Sequence, residues 1–532
     1  MFNYLKKIIH YKKAITKHTN NLDDEKDQGV SLTSHLDENL NMLKNILGNS
    51  NDIIIKLLNI GNNHDYKGAL VYIDGLVDKT MLYESIMRPL QNEMSCSKDC
   101  SNLTVLDRIN ERLLSSTNID NVSKIKLLID NILTGNTVLL LDGSNQALAI
   151  PLQKWEKRSI EQPVTESVVR GPHQGFTETI STNITLLRRI IKNPDLRMES
   201  YTIGDQTNTN VCIVYMKDIV NPKLITEINT RLDRIKTDAI LESGYIEAFI
   251  EDAPYSIFAT VGNCEKPDKV ASKILEGRAA IFVDGSPFVL TVPLLFIENF
   301  QSTEDYYSRP YFSSMTRLLR FVSYFITILS PGIYVALTTY HQELIPTQLL
   351  FTMAAGQYGI PFPSAIETLI MLIIFDILRE AGIRLPKPVG SAVSIVGALV
   401  LGESAVSAGL ISPFMVIIVA LTAISSFVIS SQTDSAAILR YFFLLLAGLF
   451  GAFGLIMGFL FILVYLASLR SFGTPYLLPI SPLSMSGMKD TFIRAPIWAM
   501  LKRPKTIGKY NLNRQTESYM KPTENNRNIN DE

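Results

Sequence analysis

Cysteine is scarce, at four residues in 532. Cys96 and Cys100 form a lone C-x-x-x-C with no second pair and no histidine partners, so neither a zinc site nor a disulfide framework is expected. Cys212 sits inside an apolar run and reads as a small buried side chain. Net charge is slight too, at −1, which gives no electrostatic footprint for nucleic acid. Catalytic signatures are missing: there is no P-loop, no G-x-G-x-x-G after a strand, no H-E-x-x-H and no G-x-S-x-G. His173 and Asp205 lie in loops without a partner that sequence can place. No enzyme, cofactor or metal centre is expected. The first 18 residues, MFNYLKKIIHYKKAITKH, are basic, with no apolar core and no small-residue cleavage site. They read as a solvated or membrane-grazing arm, and the domain that follows is expected in the cytoplasm.

Charge itself is withheld from one block. Residues 321–469 hold ten Asp, Glu, Lys or Arg, against 91 in the other 383. Uncharged runs of 22 (321–342), 30 (404–433) and 29 residues (441–469) result. A hydrocarbon layer ~30 Å thick needs ~20 helical residues, and a soluble core helix would alternate its faces instead. This block reads as an all-α polytopic membrane domain at 311–470, followed by a basic polar tail at 471–532. Spans are expected near 318–340, 362–381, 389–410, 413–431 and 441–469, with 345–360 interfacial or re-entrant. Arg309, Arg317, Arg320, Arg384 and Lys387 mark the cytoplasmic side. Five spans from the inside would leave the tail outside. Yet Arg470, Lys489, Arg494, Lys502, Arg503, Lys505 and Lys509 favour the inside, so either 344–360 crosses or one segment does not. Gly448, Gly451, Gly454 and Gly458 read as positions for close helix packing.

What precedes the block repeats itself. GNTVLLLDGSNQALAIPL at 135–152 aligns without gaps to GRAAIFVDGSPFVLTVPL at 277–294, with seven of 18 positions identical at an offset of 142. Val71-Tyr72-Ile73 matches Val214-Tyr215-Met216 at an offset of 143. Two homologous α/β subdomains follow, at 35–152 and 177–310, after an arm and linker at 1–34. Each is expected to hold a helix (Ile180, Ile184 and Leu187 share a face), a buried strand (69–73 or 211–216), further helices, and a hairpin. Asp142-Gly143 and Asp284-Gly285 supply the left-handed residues of those hairpins, and the two aspartates read as turn residues.

Between the copies, at 153–176, runs a segment too polar for a core strand and too specific for a flexible linker. Its ESVVRGPHQGFTE, with the helix TNITLLRRIIKNPDL, closely resembles the hallmark of the A subunits of GerA-type spore germination receptors. Pro361-Phe-Pro-Ser-Ala-Ile-Glu and Leu378-Arg-Glu-Ala-Gly-Ile-Arg-Leu-Pro extend that resemblance across about residues 35 to 500. Arg170, Gly171, Pro172 and Gly175 fit the pattern. Gly-Pro fixes a turn, and Arg170 could clamp one subdomain to the other or sit idle on a surface loop.

The resemblance implies a subunit of a nutrient germinant receptor in the spore inner membrane. Such a subunit acts with a transporter-like B subunit and a lipoprotein C subunit, as an oligomeric nutrient-gated ion channel. A non-conducting scaffold and a secondary transporter are the alternatives. The transporter predicts an inverted repeat in the membrane block, whereas the repeat found lies in the soluble half. Within the membrane block Asp376 and Arg379 can pair at i, i+3. Glu367 and Glu403 have no basic neighbour, and serve either a polar conduit or a helix–helix hydrogen bond.

Overall fold

The structure, a computed structural model, describes residues 30–514 except 49, 61–65, 93–118, 155–161, 164, 165, 167, 386–401, 501, 505, 506 and 508–512. Cys96, Cys100, Lys387, the basic arm and most of the segment expected to span at 389–410 therefore lie outside the described residues.

Helix α1 (Leu36–Leu47) opens the first subdomain, followed by β1 (Ile53–Ile60), β2 (Tyr66–Ile73), β3 (Asp120–Val122), α2 (Ile125–Thr134), β4 (Thr137–Leu141) and β5 (Ala147–Ile150). The second runs α3 (Ile180–Ile190), β6 (Leu196–Ile203), β7 (Thr209–Met216), α4 (Pro222–Asp233), α5 (Ser243–Ile250), β8 (Gly262–Cys264), α6 (Pro267–Leu275), β9 (Ala279–Val283) and β10 (Val289–Val292). The two five-stranded sheets have the same order, β1-β2-β4-β5-β3 and β6-β7-β9-β10-β8, with every pairing antiparallel. Successive strand residues point to opposite faces. Ala69, Val71 and Ile73 meet α1 and α2 on one side, while Leu70 and Tyr72 meet helical turns at 79–92 on the other. Helices on both faces explain why these strands are continuous apolar runs. Sequence alone misses β1 and β6, because IIIKLLNI and LRMESYTI are edge strands whose exposed positions break the apolar run.

The Asp-Gly hairpins do more than turn. The N–H groups of Leu36 and Ile180, at the starts of α1 and α3, donate to Asp142 Oδ1 and Asp284 Oδ1, each at 3.1 Å. An acidic oxygen there satisfies a helix N–H that has no intrahelical partner. Residues 30–34, expected as the end of a polar linker, belong instead to the first subdomain. Leu32 is buried and its N–H donates to Ser123 O at 2.9 Å, one apolar anchor among polar neighbours.

The rest is a helical bundle: α7 (Pro310–Thr339), α8 (Thr347–Gln357), α9 (Ser364–Arg384), α10 (Pro413–Val428) and α11 (Thr433–Ser468). α7 and α11 are long and apolar enough to cross a membrane. α11 is not one rod. Gly451 has φ 61° and ψ −142°, and a Cβ added at Gly454 or Gly458 would lie against Leu446, while Gly332 of α7 faces both Phe443 and Leu455. The helix therefore turns back at Gly451. The apex meets Tyr340 at the far end of α7, whose hydroxyl donates to Gly448 O at 2.9 Å. Both ends of α11 return to the second subdomain: Ser431 and Ser435 border a cavity there, and Tyr465 packs 6.3 Å from Phe258. The run expected as a single span at 441–469 thus makes a hairpin, because one glycine adopts a conformation closed to other residues. That reversal brings the tail back to the α/β domain, where Asp490 meets Arg317 at the root of α7.

Candidate functional site

The sheets position a joint between the subdomains. Arg188 lies one residue beyond Leu187 on the inner face of α3 and is 1% exposed. Its Nε donates to Asp52 Oδ2 at 2.7 Å and its Nη2 to Asp52 Oδ1 at 3.1 Å, while Ser50 Oγ donates to the same carboxylate at 2.7 Å. Arg197 donates to the carbonyls of Leu47 and Ile46, the last residues of α1. The clamp between copies is therefore built by Arg188 and Arg197. Arg170 is exposed and meets no hydrogen-bond partner among the described residues. A charged residue on the apolar stripe of Ile184 and Leu187 is the signal in sequence for Arg188.

The linker is held at other points. Glu166 accepts from Lys269 Nζ and, at 3.1 Å, from the N–H of Glu265, just before α6. Burial pushes the Glu166 carboxyl up, but Lys269 and that N–H outweigh it, and the net shift is downward. Gly171 has φ 136°, and a Cβ there would stand 2.7 Å from the Tyr307 ring. Pro172 is exposed, whereas Gly175 and Phe176 are buried, with Phe176 edge-on to Phe282 at 5.5 Å.

A second joint ties the domain to the bundle and tail. Arg317 of α7 is fully buried; its Nε donates to Asp305 Oδ2 at 3.3 Å and its Nη1 to Asp490 Oδ1 at 2.9 Å. Arg320 adds a bond to Asp305 at 2.8 Å, and Tyr306 donates to Asp490 Oδ2 at 2.7 Å. Arg494 donates to Tyr306 O and Ser308 O. Ser471 Oγ donates to Thr260 O at 2.6 Å and accepts from the N–H of Leu294 at 3.0 Å. Arg317 and Arg320, topology markers by their place in the sequence, are thus structural ion pairs as well.

Between the second subdomain and the base of α11 lies a cavity of about 600 Å³ bordered by Glu247, Glu251, Lys269, Glu298, Gln432 and Asp434. Burial, then the carboxylates of Glu251 and Glu242, push the Glu247 carboxyl up to about 7. The fold therefore favours its protonated form: this stabilisation is present below the ordinary carboxylate range and is lost as pH rises through about 7. We expect thermal stability of the detergent-solubilised protein to fall by about 1–2 kcal/mol between pH 5 and 8 on account of this group. Glu247→Gln should flatten that part of the profile; an unchanged profile refutes the assignment.

Inside the bundle the sequence-predicted residues separate. Glu367 is buried and accepts from the N–H and, at 2.7 Å, the Oγ of Ser412, the N-cap of α10, with Tyr334 Oη 3.3 Å from that Oγ. It makes a helix–helix hydrogen bond at a helix N-terminus, where negative charge is favoured. Asp376 lies 3.9 Å from Arg379, and is engaged more closely by Arg440 Nη2 at 2.7 Å and by the Tyr441 hydroxyl. Nothing in the sequence singles out Arg440 for this pairing, since 64 residues separate the two. Glu403 is exposed and joins neither group. Among the described residues no cluster of three His, Cys, Asp or Glu is gathered for a metal ion.

A duplicated α/β domain clasped by buried ion pairs to the base of a helical bundle defines the class. A profile of the Bacillus/Clostridium GerA spore germination protein family matches residues 41–506. The chain is 45% identical over 493 residues to spore germination protein KA of Bacillus subtilis (strain 168), covering 92% of this chain and 90% of that protein. It is 42% identical over 495 residues to the membrane protein YfkQ of the same strain, covering 92% and 94%. The crystal structure of the N-terminal domain of the A subunit of the Bacillus megaterium spore germinant receptor GerK3 is 38% identical and covers 51% of this chain and 98% of that domain, with a TM-score of 0.41. The chain belongs to the GerA spore germination family.

Proposed function

We propose that this protein is the membrane-embedded A subunit of a nutrient germinant receptor and triggers spore germination, as a gated ion-conducting assembly of several copies. The observation that carries the reading is the bundle's apolar exterior, with ionisable groups set inside its apolar core. Leu445, Phe453, Phe461 and Val464 of α11 and Ile417, Ile424 and Phe427 of α10 are exposed, while Arg440, Glu367, Thr327 and Thr422 are buried. A helix bundle in water turns polar faces outward instead, and buried ionisable groups in a membrane face partners or a polar path. Membership of the family supports the germination role, and the name of one relative, the membrane protein YfkQ, supports the membrane. The spore inner membrane, a cytoplasmic α/β domain, and a transporter-like B subunit and lipoprotein C subunit as partners complete the proposal. No catalytic or cofactor chemistry enters it.

A second reading, a non-conducting signalling scaffold, rests on a particular observation. Glu367 and Asp376 are each engaged by donors within one chain. Of the proposed polar residues, Glu403 alone is exposed without a partner among the described residues. The test uses spores lacking their own receptor, supplied with this chain and its partner subunits and challenged with a nutrient panel. Rescue is expected, as is a nutrient-dependent cation flux from the same receptor in liposomes. Rescue without flux leaves the scaffold, and no rescue on any nutrient sinks the receptor assignment.

A further inference from the structure

Two guanidinium groups share one carboxylate inside the bundle. Arg440 is fully buried, and only its Nη2 is used, at 2.9 and 2.7 Å from the two oxygens of Asp376. Its Nε and Nη1 and the Nε of Arg379 are buried and meet no hydrogen-bond partner among the described residues. Tyr441 adds a third donor to Asp376, and the Arg440 guanidinium carbon lies 5.3 Å from the centre of its ring, a contact with the ring face that leaves Nε and Nη1 without an oxygen acceptor. The other carboxylates of the bundle are engaged or turned elsewhere. Glu343 is exposed beside His341, Glu367 holds Ser412, Glu380 holds Arg384, Asp434 borders the cavity at the base, and Glu403 is exposed. The cluster therefore carries one surplus positive charge and several N–H donors without acceptors.

We propose that Arg440, with Arg379, binds one small monovalent anion of the class of chloride or a short carboxylate. Water would satisfy the N–H groups but leave the surplus charge uncompensated beside Arg440, which is fully buried, while the Arg379 and Asp376 side chains are 19% and 21% exposed and open the cluster to a small ion. An anion does both, since guanidinium presents its donors in a planar fork suited to it. The full burial of Arg440 favours a free ion over a side chain arriving from another subunit.

The purified full-length protein, in detergent at constant ionic strength, is melted while sodium gluconate is replaced by sodium chloride or sodium acetate. Gluconate is too bulky for an enclosed guanidinium. The wild type should show a saturable rise in melting temperature, and Arg440→Gln should show none. Arg379→Gln, which balances the pair, should weaken the half-saturation concentration about tenfold, and Asp376→Asn, which raises the surplus to two, should tighten it by about the same factor. A structural ion pair alone predicts no tightening on loss of Asp376. A flat response in the wild type, or an equal one in wild type and Arg440→Gln, overturns the proposal. Should Arg440→Gln fail to fold, the opposite shifts of the other two variants decide it.

Discussion

Arg188→Ala should destabilise the α/β domain by about 3–5 kcal/mol, because it leaves Asp52 buried without its counter-charge. Asp52 is 7% exposed and, among the described residues, keeps the Ser50 hydroxyl as its one side-chain donor once the guanidinium is gone. The loss is larger than a surface pair would give, since exposed ion pairs contribute about 0–1 kcal/mol. Arg188 also donates to the carbonyls of Asn193 and Leu196, so the turn between α3 and β6 loosens with it. The check is thermal unfolding of the full chain together with hydrogen exchange in α1 and β6. Asp52→Ala should be equally damaging, and the double replacement Arg188→Met with Asp52→Leu should recover most of the loss. If Arg188→Ala melts within a degree or two of wild type, the two copies are held together by something else.

Gly451→Val should be the most damaging single change in the bundle. At φ 61° and ψ −142° the backbone occupies a region essentially restricted to glycine, and a side chain there costs about 1–3 kcal/mol in strain. The added carbon would also stand 3.0 Å from Tyr340 Cβ and Cγ, which leaves no room for a branched residue. We expect a several-fold drop in monodisperse protein recovered from membranes. A cysteine placed in the tail should also lose its reactivity from the side that exposes the α/β domain. Gly448→Ala, whose nearest neighbour is Ala365 Cβ at 3.4 Å, is the control and should be mild. Normal yield and normal labelling in Gly451→Val would mean the chain does not reverse at this glycine.

These two positions also show what can be read in advance. The tandem α/β architecture is legible because buried strands and Asp-Gly turns leave the same print twice. Edge strands β1 and β6 are not legible as strands, since exposed Lys56 and Asn59 in one and Ser200 and Thr202 in the other break the apolar run. The apolar helices are legible from composition, but the reversal in α11 is not. Gly448, Gly451, Gly454 and Gly458 look alike in sequence, and all have the spacing of packing positions. Gly454 and Gly458 do pack, against Leu446 and Phe443, whereas Gly451 alone takes the positive φ. Pairings across long separations are also hidden. Arg440 finds Asp376 across 64 residues, Arg317 finds Asp490 across 173, and Arg188 finds Asp52 across 136. Local patterns carry no information about such partners. Arg170 shows the converse, for a residue prominent in the motif lies exposed while its neighbours Glu166 and Gly171 make the contacts.

The return of the tail has a mechanical consequence. Asp305 precedes the bundle and Asp490 follows it, and both grip Arg317 at the root of the first helix. Ser471 is fastened to Thr260 and Leu294 where the last helix ends. The polypeptide thus enters and leaves the bundle through one socket in the second α/β subdomain. Because both segments are fastened there, a tilt of that subdomain would load the first and last helical segments together, as a torque rather than a pull on one end.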